Sequence, residues 1–408
     1  MDVKKFGNSP IGHLVPISGT DGRFGTPYQD SAYVAHPLAA EPQLEPATWR
    51  MVNSANRALA RLDQASLTIL VPSLFRRSTL RREAQSTSAL EGIFAPFEQV
   101  LAAEVADNQL SKELLEVMNY VEAADAAFQF VGERGAITVG LVESVHSILV
   151  RGTDSETRDA GRIRSTLVAI GSPTGAVTDA RFVPMPSGIE LNIAVQDLVR
   201  WIGSSSTDRE PLVAAAMTHY QFETLHPFND GNGRIGRLLI VLQFMVDGLL
   251  HEPLLSVSPW FEARRTQYQD ELAAVSATGK WDSWIQFFAA GIESSADDIA
   301  RRIDRLLSVQ QRYVQIVQDA SGRGVIRDIV DVLIGDPFVS VPKLAKRFDR
   351  TSSAVTSVVT KLVELNILSG PFGTYNRQYM ARDVWIALTA PVGAVPSAQA
   401  RLHFEGRE

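Results

Sequence analysis

Twelve consecutive residues, His226-Pro227-Phe228-Asn229-Asp230-Gly231-Asn232-Gly233-Arg234-Ile235-Gly236-Arg237, gather an imidazole, a carboxylate, three glycines and two guanidinium groups. An imidazole titrates near working pH and suits proton transfer. Pro227 disfavours helical geometry at the residue before it, so a preceding helix should stop near Leu225. Gly231 and Gly233 permit the dihedrals of a tight loop. A second helix then starts near Gly233, and its free N–H groups and positive dipole end call for an anion. Arg234 and Arg237, three residues apart on its first turn, reinforce that choice. The stretch reads as a polyphosphate cradle with a histidine at its lip.

The elements that hold this cradle are helical. Leu212, Ala215, Ala216, His219 and Phe222 recur at helical spacing before it, and Leu238 to Met245 is apolar nearly all round, as in a buried helix. Residues 1 to about 45 are rich in Gly, Pro and Ser and read as an extended arm of low helix content. Helical spacing appears from Pro46 to Ala65, then over Phe75 to Phe94. In the latter, Glu91 sits one turn beyond Thr87 on the same face, and Gly92 can end the helix. Taken alone, that pattern equally describes a solvated helix with a C-terminal glycine. Lys112 to Val131 and Val139 to Val150 are helical. Thr166 to Ile170, a turn-rich Gly171 to Ala176 and Arg181 to Pro184 predict a β-hairpin. Ile189 to Ser204 is helical, and Ser204 to Asp208 is a loop able to cap the next helix. Ser258 to Val275, Trp281 to Gly291 and Ser294 to Gln318 follow as helices, with aromatics that mostly suit a core. Ser321-Gly322-Arg323-Gly324 is the best linker. Val325 to Leu388 then orders three helices and a hairpin, the layout of a winged helix-turn-helix.

Length and composition narrow the class. The chain has 408 residues, enough for two or three domains, and is 45% hydrophobic and 21% charged, as in ordinary globular proteins. A net charge of −7 argues against a general nucleic-acid coat. The segment 325–388 has a mild excess of basic over acidic residues. There is no cysteine, which excludes disulfides, zinc–thiolate sites and thiol catalysis and fits a reducing cytoplasm. No signal peptide and no run of about 18 apolar residues is visible, so no membrane partner is expected.

The twelve residues resemble the signature of Fic-domain proteins, His-Pro-Phe-x-(Asp/Glu)-Gly-Asn-Gly-Arg-x-x-Arg, at every fixed position. Thr87-Ser88-Ala89-Leu90-Glu91-Gly92 is similar to that family's inhibitory pattern, (Ser/Thr)-x-x-x-Glu-(Gly/Asn). The order of inhibitory helix, Fic motif and winged helix resembles the bacterial subclass whose inhibitory helix precedes the core. The resemblance implies a mainly α fold: an arm and helical region over 1–110 with the inhibitory helix at about 76–93, a Fic core with a β-hairpin flap over 111–320, a winged helix-turn-helix over 325–390 and a tail over 391–408.

It also implies the chemistry. AMP would pass from ATP to a Ser, Thr or Tyr hydroxyl of a target protein, or of the chain itself, with His226 as the base. Asp230 would offer a hard oxygen to Mg²⁺. Backbone N–H groups across Gly231, Asn232 and Gly233 would form the anion hole, with the Asn232 side chain contacting phosphate or shaping the loop. Arg234 and Arg237 would hold the β- and γ-phosphates. Glu91 would pair bidentately with Arg237 and restrain transfer. Arg181, Phe182 and Val183 would be the flap edge that positions a target segment by strand addition. Tyr268 either flanks the adenine or belongs to the core. Two other readings use the same residues: a hydrolase that removes AMP, with Glu91 orienting water, and a nucleotide-sensing regulator whose winged helix docks DNA. That last module serves equally for homodimerisation or protein docking, and a donor such as UTP is compatible with the phosphate motif.

Overall fold

The structure, a computed structural model, describes residues 1–20, 25–67, 69, 72–103, 110–204, 209–373 and 377–390, apart from the side chain of residue 74. The expected tail at 391–408, residues 205–208 of the capping loop and Tyr375 of the expected wing lie outside these residues. Sixteen α-helices, one 3-10 turn at Val177–Asp179 and two small antiparallel sheets make up the described regular structure, so the mainly helical expectation holds. No described helix is long and apolar enough to cross a membrane.

The chain divides into two compact units. The first comprises 1–68, 79–100 and 110–297, the second 69–78, 101–109 and 298–408. This partition differs from the expected one. The division in the C-terminal half falls at Asp297/Asp298, inside the helix Asp282–Asp319, and not at the glycine-rich linker. The two helices expected here are one, because a single glycine does not break a helix. Gly291 is instead a packing notch: a Cβ there would lie 2.8 Å from the Trp260 ring.

In the first unit, two helices flank the motif. Pro211–Leu225 stops where Pro227 requires it to, and Asn232–Val246 follows. Every residue from Asn232 to Phe244 is buried, as is nearly all of the preceding helix, which is how helices apolar all round behave. The cap of the first is not the Ser204–Asp208 loop. Glu210 does this, its carboxylate accepting from the Val213 N–H at 2.7 Å. Trp284 locks the pair to the aromatic core, its indole N–H donating to the Ala216 carbonyl at 2.9 Å. The helices Lys112–Arg134 and Val139–Val150 pack together, capped by Ser111 and Thr138.

The N-terminal arm is more regular than expected. It forms a short helix, Val3–Phe6, and a hairpin pairing Gly12–Thr20 with Pro27–Ala35. Gly12 leaves room for Tyr33, whose ring would lie 2.3 Å from a Cβ at that position. The hairpin expected at 164–185 reduces to one antiparallel bridge, Ile170 with Phe182, and a parallel bridge from Tyr33 to Pro184. Local polar bonds take the place of a ladder. Asp179 accepts from the hydroxyls of Ser172 and Thr174, closing the turn on itself.

The second unit holds the helices Val325–Gly335, Val341–Arg347, Ser352–Glu364 and Arg382–Thr389, and a sheet ordered 338–340, 378–380, 369–372. Thr351 caps the third helix through the Ala354 N–H. The strand Phe338–Ser340 and the last helix are additions to the expected layout. Arg302, buried on the long helix, donates to the Leu388 carbonyl at 2.6 Å.

Candidate active site

Both motif arginines and the motif histidine owe their positions to the turn between the two buried helices. His226 is the C-cap of the first, at φ 50°, an uncommon left-handed conformation for a side-chain-bearing residue. Gly231 caps the second at φ 78°. Asn232 closes the loop between them: its side chain accepts from the Phe228 N–H and donates to the Phe228 carbonyl, each at 2.8 Å. Of its two expected roles, loop shaping is the one these bonds express. No side chain caps the Asn232–Val246 helix, so its first-turn N–H groups suit an anion. The Gly231 N–H is excluded from that set, because it donates to Asp230 Oδ1 at 2.7 Å.

A cavity of about 590 Å³ opens here, within the usual range for small-ligand sites. Its lining includes His226, Arg237, Glu91, Glu223, Gly233 and Tyr268, with Phe182 and Leu272 among the apolar members. Nδ1 of His226 lies 3.2 Å from the Glu223 carbonyl. A carbonyl only accepts, so Nδ1 carries the proton and Nε2 is left as a base. Burial pushes the imidazole down to about 4, keeping it neutral.

Arg237 is fully buried and held on three sides. Nε donates to Thr87 Oγ1 at 2.8 Å, and Nη2 to the Thr87 carbonyl at 3.1 Å and to Glu91 Oε1 at 2.6 Å. The expected bidentate pair is therefore a single bond to Glu91 from Nη2, while Nε is taken by Thr87. Gly92, at φ 87°, turns the chain just after the helix Pro72–Leu90 and leaves Glu91 beside Gly233. A Cβ on Gly233 would meet Glu91 Oε1 at 2.2 Å. Gly233 is thus needed for close approach, and not for an unusual φ. Burial disfavours the Arg237 charge, but Glu91 outweighs it and keeps the group cationic.

Arg234 departs from the expectation of a phosphate ligand. Its guanidinium is buried and bonds Glu116 at 2.9 Å and Asp230 at 3.3 Å. It braces the loop instead. Asp230 also accepts from the Ser155 hydroxyl. Burial opposes its ionisation, but Arg234, Ser155 and the Gly231 N–H together leave it below the usual carboxylate range. Its side chain remains 46% exposed, so one ionised, accessible carboxylate is present, which fits a magnesium held mainly by phosphates and water.

The expected flap residues split. Both backbone groups of Phe182 are paired with Ile170, and the Val183 carbonyl accepts from the Tyr33 N–H at 2.8 Å. Val183 itself is core, and Arg181 is exposed and paired with Asp270 at 2.7 Å. This side of the flap is therefore occupied by the N-terminal hairpin. Tyr268 is buried, its hydroxyl donating to His219 Nε2 at 2.7 Å, since His219 Nδ1 is directed at the Gly236 carbonyl. It lines the cavity nonetheless.

Several residues here carried no sequence signal. Arg164 is buried and bonds the carbonyls of His226, Thr166 and Met185, tying the flap segment to the motif loop. Glu83, also buried, accepts from Ser256 and from the backbone and hydroxyl of Ser258, anchoring the helix that ends just before Glu91. Glu83 and its serines are more than 170 positions apart, and Arg164 reaches His226 across 62. A helical-face argument could have found Glu223, one turn before His226.

The motif lies within a stretch that is similar to known proteins. Residues 49–129 match the Fic/DOC family N-terminal model and residues 136–244 the Fic/DOC family model. The chain is 30% identical over 169 residues to protein adenylyltransferase fic-1 of Caenorhabditis elegans, covering 40% of this chain and 31% of that protein. It is 24% identical over 182 residues to a probable protein adenylyltransferase of Aquifex aeolicus (strain VF5), covering 42% of this chain and 53% of that one. These curated relatives are thus spanned over only about a third to a half of their length. A solved Fic family protein from Desulfovibrio desulfuricans G20 shares the fold, with a TM-score of 0.53 and 22% identity over 84% of this chain and 98% of that one.

Proposed function

We propose, from the premise that this chain belongs to the Fic/DOC family, that it is a protein adenylyltransferase restrained by its own Glu91. The observation that carries the reading is one cavity faced both by a neutral His226 and by an Arg237 already bonded to Glu91. In the proposed reaction a Ser, Thr or Tyr hydroxyl oxygen attacks the α-phosphorus of ATP. Its proton passes to His226 Nε2, the bond from the α-phosphorus to the bridging oxygen breaks, and pyrophosphate leaves. The free N–H groups from Asn232 onward and Arg237 bind the phosphates. Asp230 is the residue that would hold magnesium, whose chemistry is to offset phosphate charge. A target strand would add along Leu167–Gly171, the flap segment that does not bond the Tyr33 backbone.

While Glu91 occupies Arg237, a γ-phosphate lacks its cation, and transfer is held back. The test is a mass-spectrometric search for added nucleotide mass on the chain incubated with ATP and Mg²⁺. Glu91→Gly should raise self-modification at least tenfold over wild type, and His226→Ala should abolish it. An unchanged signal in Glu91→Gly removes the restraint, and full transfer in His226→Ala removes the base. Release of AMP from a pre-modified target, with no net addition, would favour the hydrolase reading. The DNA-docking reading draws little support. Lys361, the long cation of the helix Ser352–Glu364, donates to the Ala320 carbonyl at 3.3 Å.

A further inference from the structure

Glu223 stands beside the proposed phosphate seat with an unused oxygen. Its Oε1 is buried and has no hydrogen-bond partner, although the residue lines the cavity. The motif helix makes room for it: a Cβ on Gly236 would lie 2.5 Å from this oxygen. Gly233 and Gly236, three residues apart on one helical face, thus each seat a carboxyl, Glu91 at the first and Glu223 at the second. Positions so spaced are about 5–6 Å apart. Arg237 follows directly on the same helix. A buried polar oxygen left unbonded is costly and calls for a partner from outside the chain.

We infer that Glu223 is a second binding residue of the polyphosphate seat, donating an O–H as a carboxylic acid to a phosphate oxygen that takes the place of Glu91 on Arg237. The inference rests on the nucleotide reading above. An ionised carboxylate at this point would repel phosphate, so only the acid form can serve. The surroundings supply that form. Burial, with Glu91 adding to it and Arg237 opposing it, raises the Glu223 carboxyl to about 8. The other groups facing it stay fixed near that pH. His226 is neutral, Arg237 is cationic, and burial holds the Tyr268 phenol well above its usual value.

The test measures binding, and not turnover, of an ATP analogue with a methylene between its α- and β-phosphates, with Mg²⁺, from pH 7.5 to 9.5. ATP phosphates are already fully ionised across this window. Wild-type affinity should fall by at least tenfold between these limits, while Glu223→Gln, a permanently neutral isostere, should stay flat. Calorimetry of wild type at pH 8 in two buffers of different ionisation enthalpy should also show proton uptake on binding, and needs no variant. Flat affinity in wild type, an equal fall in both proteins, or binding without proton uptake overturns the role of Glu223 and leaves nucleotide binding intact. Absence of binding at every pH in wild type and in Glu91→Gly overturns the nucleotide reading itself.

Discussion

Three buried imidazoles make the site sensitive to acid. Burial pushes His226 down to about 4, His219 to about 3 and His146 to about 4. An unfolded histidine binds its proton below about 6.5. Between pH 6.5 and 4 the unfolded chain therefore carries protons that the fold does not, and stability falls as the pH drops through that window. Each contributes on the order of 3 kcal/mol over the full range. Thermal unfolding followed from pH 7 to 4.5 should show a steep loss, and His219→Gln should reduce its slope while lowering stability at pH 7. An unchanged slope would mean that His219 titrates normally. Residue placement was legible where the partners were adjacent in sequence: His226, the loop after it and the glycines lie within twelve positions. The partner of Arg234 is Glu116, 118 positions away, and no local pattern announces that a helix Lys112–Arg134 will deliver it. The sequence therefore offered Arg234 as a phosphate ligand without showing its ion pair to Glu116.

At the scale of elements, the proposed restraint depends on the helix Pro72–Leu90 being pinned. Glu83, two turns before Glu91, meets Ser256 and Ser258 through three bonds inside the core. Glu83→Ala removes the pin and leaves those donors unpaired, at a cost of about 3 kcal/mol. It should raise self-modification although Glu91 is intact, read by labelled ATP alongside thermal unfolding. Lowered stability without raised transfer would separate the pin from the restraint. The long helices were legible, because apolar periodicity and caps are local, whereas the short helices Val3–Phe6, Phe97–Ala102 and Arg382–Thr389 were not. The flap was not. Its strand-like composition was real, but Asp179 satisfies its own turn, and the pairing partner of Val183 proved to be a strand from the arm 150 residues earlier, through Tyr33. Sheet partners are set by tertiary contact and leave no periodic trace.

For the whole molecule, the division at Asp297/Asp298 means that residues 325–390 are not a unit by themselves. Arg302, Gln310 and Arg312 of the long helix bond Leu388, Asp331 and Asp383. A fragment starting at residue 325 should unfold at lower urea than one starting at 298; equal midpoints would show that the long helix adds nothing. Glu91 and Arg237 belong to one chain and meet at 2.6 Å. The restraint is consequently a tethered ligand, with an effective concentration on the order of millimolar or above that dilution of the protein leaves unchanged. A rival anion must compete with that fixed value, so the proposed transfer should follow the nucleotide level of its surroundings and stay indifferent to the abundance of the chain.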